Sequence, residues 1–280
     1  MISLSYNDWW IIATTCLVSL CCVIPGTFIV LRRMAMFGDA ISHAVLPGLV
    51  AAYLISGTKA GPALLIGAAA TGLLVTLGIE FLQNRVKVQH DAAIGLVYTF
   101  LFAVGVIMVS QFAGMADLDQ DCVLFGEVAF VPFDLVRGIP RQFLISGALL
   151  LLLTLTLFIA YRGLYLSTFD PGFAAVLGIQ VMAWHYLLMG MVSLSTVVAF
   201  ESVGAVLVIA FLVGPAATAA LFAKSLPGML GLACLIALIS SFAGYLLAMW
   251  LDANIGGSVS LVIGIVFGIS ALVKKFLYPA

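Results

Sequence analysis

Charge is what this 280-residue chain has least of. Asp, Glu, Lys and Arg make up 8% of it, where a soluble domain carries about 25%. The formal net charge is -1, so there is no basic surface to draw in nucleic acid and no acidic tail of the solvating kind. The phosphate-cradling pattern GxxxxGKS/T is missing, which excludes ATP binding by that device. Also missing are an HExxH metalloprotease pair, a GxSxG nucleophile elbow and the regularly spaced arginines of a voltage sensor. Energy for any work must come from an ion gradient or from a partner.

Cysteine is equally uninformative as chemistry. Cys16, Cys21, Cys22 and Cys234 fall inside apolar runs and only Cys122 lies in a polar stretch, so neither a CxxC site nor a disulfide framework follows. Polar sequence is scarce too. The two longest polar stretches, Ala113 to Gln142 and Arg162 to Ala183, are each too short to bury a soluble core.

What the chain has in abundance is apolar sequence, 64% of its residues against about 45–50% in ordinary domains. Crossing a ~30 Å hydrocarbon core takes about 20 helical residues. Runs of that kind extend from Trp9 to Leu31, Pro62 to Leu82, Ala92 to Phe112, Phe143 to Tyr161, Trp184 to Phe200, Val203 to Ala223, Met229 to Leu251 and Ser258 to Val273. A ninth, Ala40 to Ser56, is shorter, follows Asp39, contains His43, Pro47 and Gly48, and is expected to be broken. The fold class is therefore all-α, a polytopic membrane protein with eight or nine transmembrane helices in one domain over residues 1–280. The run from Trp9 is too long for a signal-peptide core and lacks the basic flank before it, so it reads as the first span.

With nine spans, alternation places Arg32, Arg33, Arg85, Lys87, Arg162, Lys224, Lys274 and Lys275 on one face and Lys59, Arg137 and Arg141 on the other. The richer face is cytoplasmic by the positive-inside rule. Asp117, Asp119 and Asp121 then lie outside, with the N-terminus, while the C-terminus lies inside. The region from Trp184 to Ala223 reads either as two spans or as one span plus a broken helix.

A charged group at mid-bilayer costs roughly 2.5–3.5 kcal/mol on insertion scales, so each asks for a reason. Asp39 and His43 stand four residues apart, on one face if helical. One carboxylate and one imidazole suit Mn²⁺, Fe²⁺ or Zn²⁺ better than Ca²⁺ or Mg²⁺. Pro47 and Gly48 weaken the helix just beyond, as happens where backbone lines a cavity. The alternative is an Asp that caps the helix and a His bonded to a neighbour. Glu201 reads either as a pathway ligand or as an interfacial residue at a tight turn. Asp91, after Gln89 and His90, reads as an N-cap. Asp252 is assigned to a loop turned by Gly256 and Gly257, and His185 reads as an interfacial histidine.

The motifs, taken in order, resemble the permease subunits of bacterial ABC importers for manganese, zinc and iron. They begin with the run from Leu31 to Gly48 and continue through Asp91-Ala92-Ala93-Ile94-Gly95, Leu124-Phe125-Gly126 and Phe169-Asp170-Pro171 with Leu177-Gly178-Ile179. They end with Val203 to Val208 and Pro215 to Ala219. The resemblance implies an ABC importer permease fold in the bacterial inner membrane and no permanently bound cofactor. It implies a transported divalent metal, ATP on two cytoplasmic ATPase partners, an extracytoplasmic metal-binding protein, and a second permease copy or sister permease. It implies that Asp39 and His43 are intramembrane metal ligands. It also implies that residues 162–183 form a cytoplasmic coupling loop in which Asp170, Ala174, Gly178 and Ile179 belong to a short helix docking on the ATPase. Asp170-Pro171 is a good helix start and Gly178 a plausible stop. Glu127 and His90 depart from the usual family residues. A gradient-driven metal carrier is the competing class, and an intramembrane metalloenzyme a third that lacks further ligands.

Overall fold

The computed structural model describes residues 5–57, 62–112, 128–136 and 138–277. The acidic stretch Asp117 to Asp121, Cys122, the Leu124-Phe125-Gly126 motif, Glu127, Lys59 and Arg137 lie outside the described residues, as does the side chain of His90.

Among the described residues there are ten α-helices: α1 (Tyr6–Leu31), α2 (Met36–Ala44), α3 (Leu46–Ser56), α4 (Pro62–Phe81), α5 (His90–Phe112), α6 (Arg141–Phe169), α7 (Pro171–Val176), α8 (Val181–Phe222), α9 (Leu226–Leu251) and α10 (Ile255–Leu277). Seven segments among the described residues are long and apolar enough to cross a membrane, and Val206–Phe222 is a shorter apolar helix. With α4, at 20 residues of bilayer length, these cover all nine of the expected apolar runs. The long α8 is two helices joined across Gly204, whose φ of 76° and ψ of 166° only glycine adopts readily. The Trp184 to Ala223 region is therefore two helices, Val181–Gly204 of span length and the shorter apolar Val206–Phe222.

Other boundaries differ from expectation for local reasons. Asp91 sits in the first turn of α5 rather than at its cap, because the helix begins one residue earlier and Ala93 N already donates to Gln89 O. Gly256 and Gly257 belong to the first turn of α10. The turn before it is made by Asp252, the left-handed C-cap of α9, and by Asn254, whose Oδ1 accepts from Gly257 N at 3.0 Å. Helix α6 continues to Phe169, so the first half of the expected coupling loop is helical.

The described residues fall into two compact units. The first comprises residues 5–33, 128–136, 138–155 and 198–277. Its core gathers Val18 and Cys22 of α1 with Leu207, Phe211 and Leu212 of α8, Tyr245 of α9, and Val259 and Ile263 of α10. Lipid tails are as apolar as leucine, so helices in a bilayer gain little from hiding leucine and are held by close packing of small residues. Gly26 of α1 accordingly meets the backbone carbonyl of Leu212, and Gly244 of α9 meets Val259 at its Cα. A two-residue hairpin pairs Leu135 with Pro140 and Val136 with Ile139 ahead of α6.

The second unit comprises residues 34–57, 62–112 and 156–197. There α4 packs on α3 and α5, and α5 also covers α2. A π-helical turn, Leu82–Val86, ends α4 at left-handed Lys87. Many Ser and Thr hydroxyls bond within their own helices, as in Thr15 to Ile11 O (2.8 Å) and Thr76 to Gly72 O (3.0 Å), whereas those of Thr14, Ser146, Ser193, Thr196 and Ser240 are buried without a hydrogen-bond partner. Outward positions such as Ile55, Phe158, Ile159 and Trp250 are large and apolar, the surface a bilayer accepts. Cys16, Cys21, Cys22 and Cys234 are all free thiols.

Candidate metal centre

The expected break in the Met36–Ser56 span falls at Val45, between α2 and α3. Its cause is covalent. Pro47 has no N–H, so the carbonyl of His43 loses its i+4 donor. The next two amides, Gly48 N and Leu49 N, both turn to Val45 O at 3.1 Å. Helix α2 therefore ends just after the residue pair of interest, with a backbone oxygen released beside it.

Within α2 the i, i+4 spacing brings His43 Nε2 to 3.3 Å from Asp39 Oδ1. Both side chains are about one-third exposed, 34% and 32%, while Phe37, Gly38, Ala40, Ile41, Ser42 and Ala44 around them are buried. Asp39 lies in the first turn of α2 but bonds its own helix face through His43 rather than serving as the cap, a position held by Ala35. Two aromatic rings of α5 flank the imidazole, Tyr98 at 6.2 Å and Phe102 at 6.0 Å between ring centroids, the latter edge-to-face. They are i, i+4 partners on a helix that looked featureless in the sequence. No group of three or more His, Cys, Asp or Glu side chains gathers among the described residues. The described residues thus bring together two candidate ligand side chains, Asp39 and His43.

Glu201 stands apart from this pair. It belongs to the first unit, three residues before the Gly204 kink, exposed, within electrostatic reach of Arg141 and Asp134. Arg141 Nη1 and Asp134 Oδ2 are themselves 3.8 Å apart. Glu201 lies within α8, next to the buried Ser202 and Val203.

The Asp170 segment forms the short helix expected of it. Asp170 is the N-cap of α7, its Oδ1 accepting from Phe173 N at 2.9 Å. Pro171 occupies the first helical position, and Gly178 turns the chain at φ 78°. Ile179 N closes the end by donating to Ala174 O at 3.0 Å. Ala174 is fully buried, whereas Phe173, Val176 and Leu177 are exposed, Val176 to 84%. A six-residue helix that caps itself and turns large apolar side chains outward is a projecting surface, not a packed one.

Sequence reasoning passed over one cluster. Glu80 of α4 accepts from the Tyr186 hydroxyl through Oε2 and lies 3.2 Å from His185 Nε2 through Oε1. His185, expected at a membrane boundary, is half-buried against that carboxylate. The only available signal was a lone Glu near the end of an apolar run.

The chain is similar along nearly its whole length to known transport proteins. It is 45% identical over 263 residues to the manganese transport system membrane protein MntD of Bacillus subtilis, covering 92% of this chain and 89% of that one. It is 40% identical over 256 residues to the zinc transport system membrane protein TroD of Treponema pallidum, covering 90% and 70%. Among solved structures it resembles PsaBC from Streptococcus pneumoniae in complex with Fab, with a TM-score of 0.82, 31% identity, and coverage of 98% of this chain and 93% of that one. Residues 8–274, the broken α2/α3 span and α7 among them, match the family described as ABC 3 transport, and the chain belongs to that family.

Proposed function

We propose that this chain is the membrane-spanning permease subunit of an ATP-driven importer of divalent transition-metal ions, manganese first and zinc or iron next, in the bacterial inner membrane. It is not itself an enzyme: ATP is bound and hydrolysed on cytoplasmic partner subunits. The observation that carries the reading of its chemistry is the Asp39–His43 contact, an oxygen and a nitrogen donor 3.3 Å apart inside a broken apolar helix. That donor set matches borderline divalent ions. The names of MntD and TroD support the same cargo class.

The ion arrives from an extracytoplasmic binding protein docked over the outer loops, where Asp117 to Asp121 supply negative charge. Asp39 and His43 hold it, together with the same pair of a second permease, which completes a coordination shell that one chain leaves short. Helix α7 docks on the ATPase through Phe173, Val176 and Leu177, while Asp170, Gly178 and Ile179 shape the helix and Ala174 seats it. A gradient-driven carrier has no use for such a projecting helix, and family membership favours the ATP-driven reading.

Reconstitution in vesicles with the ATPase and binding protein tests this, by measuring uptake of Mn²⁺, Zn²⁺ and Fe²⁺ for wild type and His43→Ala. Uptake that requires ATP and falls at least about ten-fold in the variant is expected, the scale on which altered metal surroundings act. Undiminished uptake by His43→Ala removes it as a ligand.

A further inference from the structure

Where the end of α4 meets the start of α8, the second unit holds a polar cluster apart from Asp39 and His43. Glu80 stands one residue before the end of α4, and both of its carboxylate oxygens are engaged by consecutive residues near the start of α8, His185 and Tyr186. The Glu80 and His185 side chains are only 15% and 16% exposed. The partners are more than a hundred residues apart in sequence, so this is a tertiary tie between two helices rather than a feature of either. A carboxylate near a span end is costly unless paired, and this one is paired twice.

The place of the tie is what gives it meaning. Helix α8 begins at Val181, directly after the α7 segment, so a displacement of α7 reaches the turn bearing Trp184, His185 and Tyr186 first. Further along, α4 and α8 meet again where Ser193 fills the space a Cβ of Gly72 would need. Gly67 and Thr71 of α4 press on Gly48 of α3 just as closely. Val197 of α8 packs on Val45 and Leu49. These contacts flank Pro47, so the break next to His43 is gripped by both α4 and α8. Close-packed backbone of this kind transmits displacement because it cannot slide without overlap.

We propose that Glu80 is a positioning residue for transport: by fastening α4 to the first turns of α8, it makes a displacement of α7 move both helices together, and with them the α2/α3 segment bearing Asp39 and His43. Without the tie, α8 shifts and α4 lags, and nucleotide turnover no longer repositions the metal pair. The inference rests on the reading of α7 as the coupling element.

The test uses the complete transporter in vesicles and reads two quantities, metal-stimulated ATP hydrolysis and Mn²⁺ imported per ATP hydrolysed. Glu80→Gln keeps the volume and loses the charge. The expected result is hydrolysis within about two-fold of wild type with import per ATP reduced at least ten-fold. Tyr186→Phe, which removes a single hydroxyl, gives a smaller loss of the same kind. The exchange Glu80→His with His185→Glu rebuilds the pair and restores import per ATP. Unchanged import per ATP in Glu80→Gln overturns the proposal, and so does a parallel loss of hydrolysis and import that the exchange does not rescue. Val176→Asp separates the underlying reading: it should abolish metal-stimulated hydrolysis itself. If it leaves hydrolysis and import intact, the coupling role of α7 fails, whatever Glu80 does.

Discussion

Pro47 stands four residues after His43 and removes the backbone donor that the His43 carbonyl would otherwise receive. A helix break and a candidate ligand are thus produced by one residue. Pro47→Ala restores the N–H and lets α2 and α3 join. Pro47 stands in the first turn of α3, where proline is tolerated, so thermal stability in detergent should change little. Mn²⁺ uptake in vesicles should fall about ten-fold, because the freed oxygen is recaptured and the pair is held in a straight helix. A variant as active as wild type would separate the break from transport.

The imidazole of His43 can coordinate only through a nitrogen lone pair, and an imidazolium has none to offer. Uptake should therefore be fully present where the ring is neutral and decline as pH falls and the ring takes up a proton. Carboxylate protonation acts with the same sign, in an ordinarily lower pH range. Measured with the partner ATPase held at its own working pH on the opposite side, uptake by wild type should follow this curve. A flat profile from about pH 7.5 to about 5.5 speaks against His43 as a ligand.

Gly26 and Gly264 offer a paired comparison within the first unit. A Cβ at position 26 meets the Leu212 carbonyl, whereas one at position 264 meets nothing within 4 Å. Gly26→Ala should destabilise by about 1–3 kcal/mol, the usual overpacking cost. Gly264→Ala should be neutral or stabilising by up to ~1 kcal/mol through helix propensity. Thermal unfolding in one detergent ranks the two, and an equal effect would show that the α1–α8 contact is not a packing constraint.

Gly204 joins two helices at φ 76° and ψ 166°, a region essentially closed to residues with a Cβ. Gly204→Ala should cost about 1–3 kcal/mol and lower the yield of folded protein. A stability indistinguishable from wild type would mean that the kink tolerates other geometry.

The nine apolar runs were readable because span length and absence of charge are properties of contiguous sequence. The Asp39–His43 pair was readable for the same reason, its spacing being local. Glu80 and His185 were not, since nothing in either neighbourhood announces a partner a hundred residues away. Gly256 and Gly257 suggested a turn by composition, yet Asn254 caps the helix before them and draws both inside it. Helix α7 divided along the same line. Its start at Asp170-Pro171 was legible from capping chemistry, but burial of Ala174 and exposure of Val176 depend on neighbours the local pattern does not contain.

With Asp39 and His43 as the proposed ligands, their contact has a bearing on release. Each group already has a partner at 3.3 Å before any ion arrives, so an incoming cation must break a hydrogen bond of a kind worth ~1.5–3 kcal/mol. That amount is subtracted from its affinity, roughly one to two powers of ten in dissociation constant. When the ion departs, the two side chains close on each other instead of waiting open in an apolar helix. A storage site would be weakened by this arrangement. A stopping place on a route gains from it, because the cargo leaves sooner and the empty state is already satisfied.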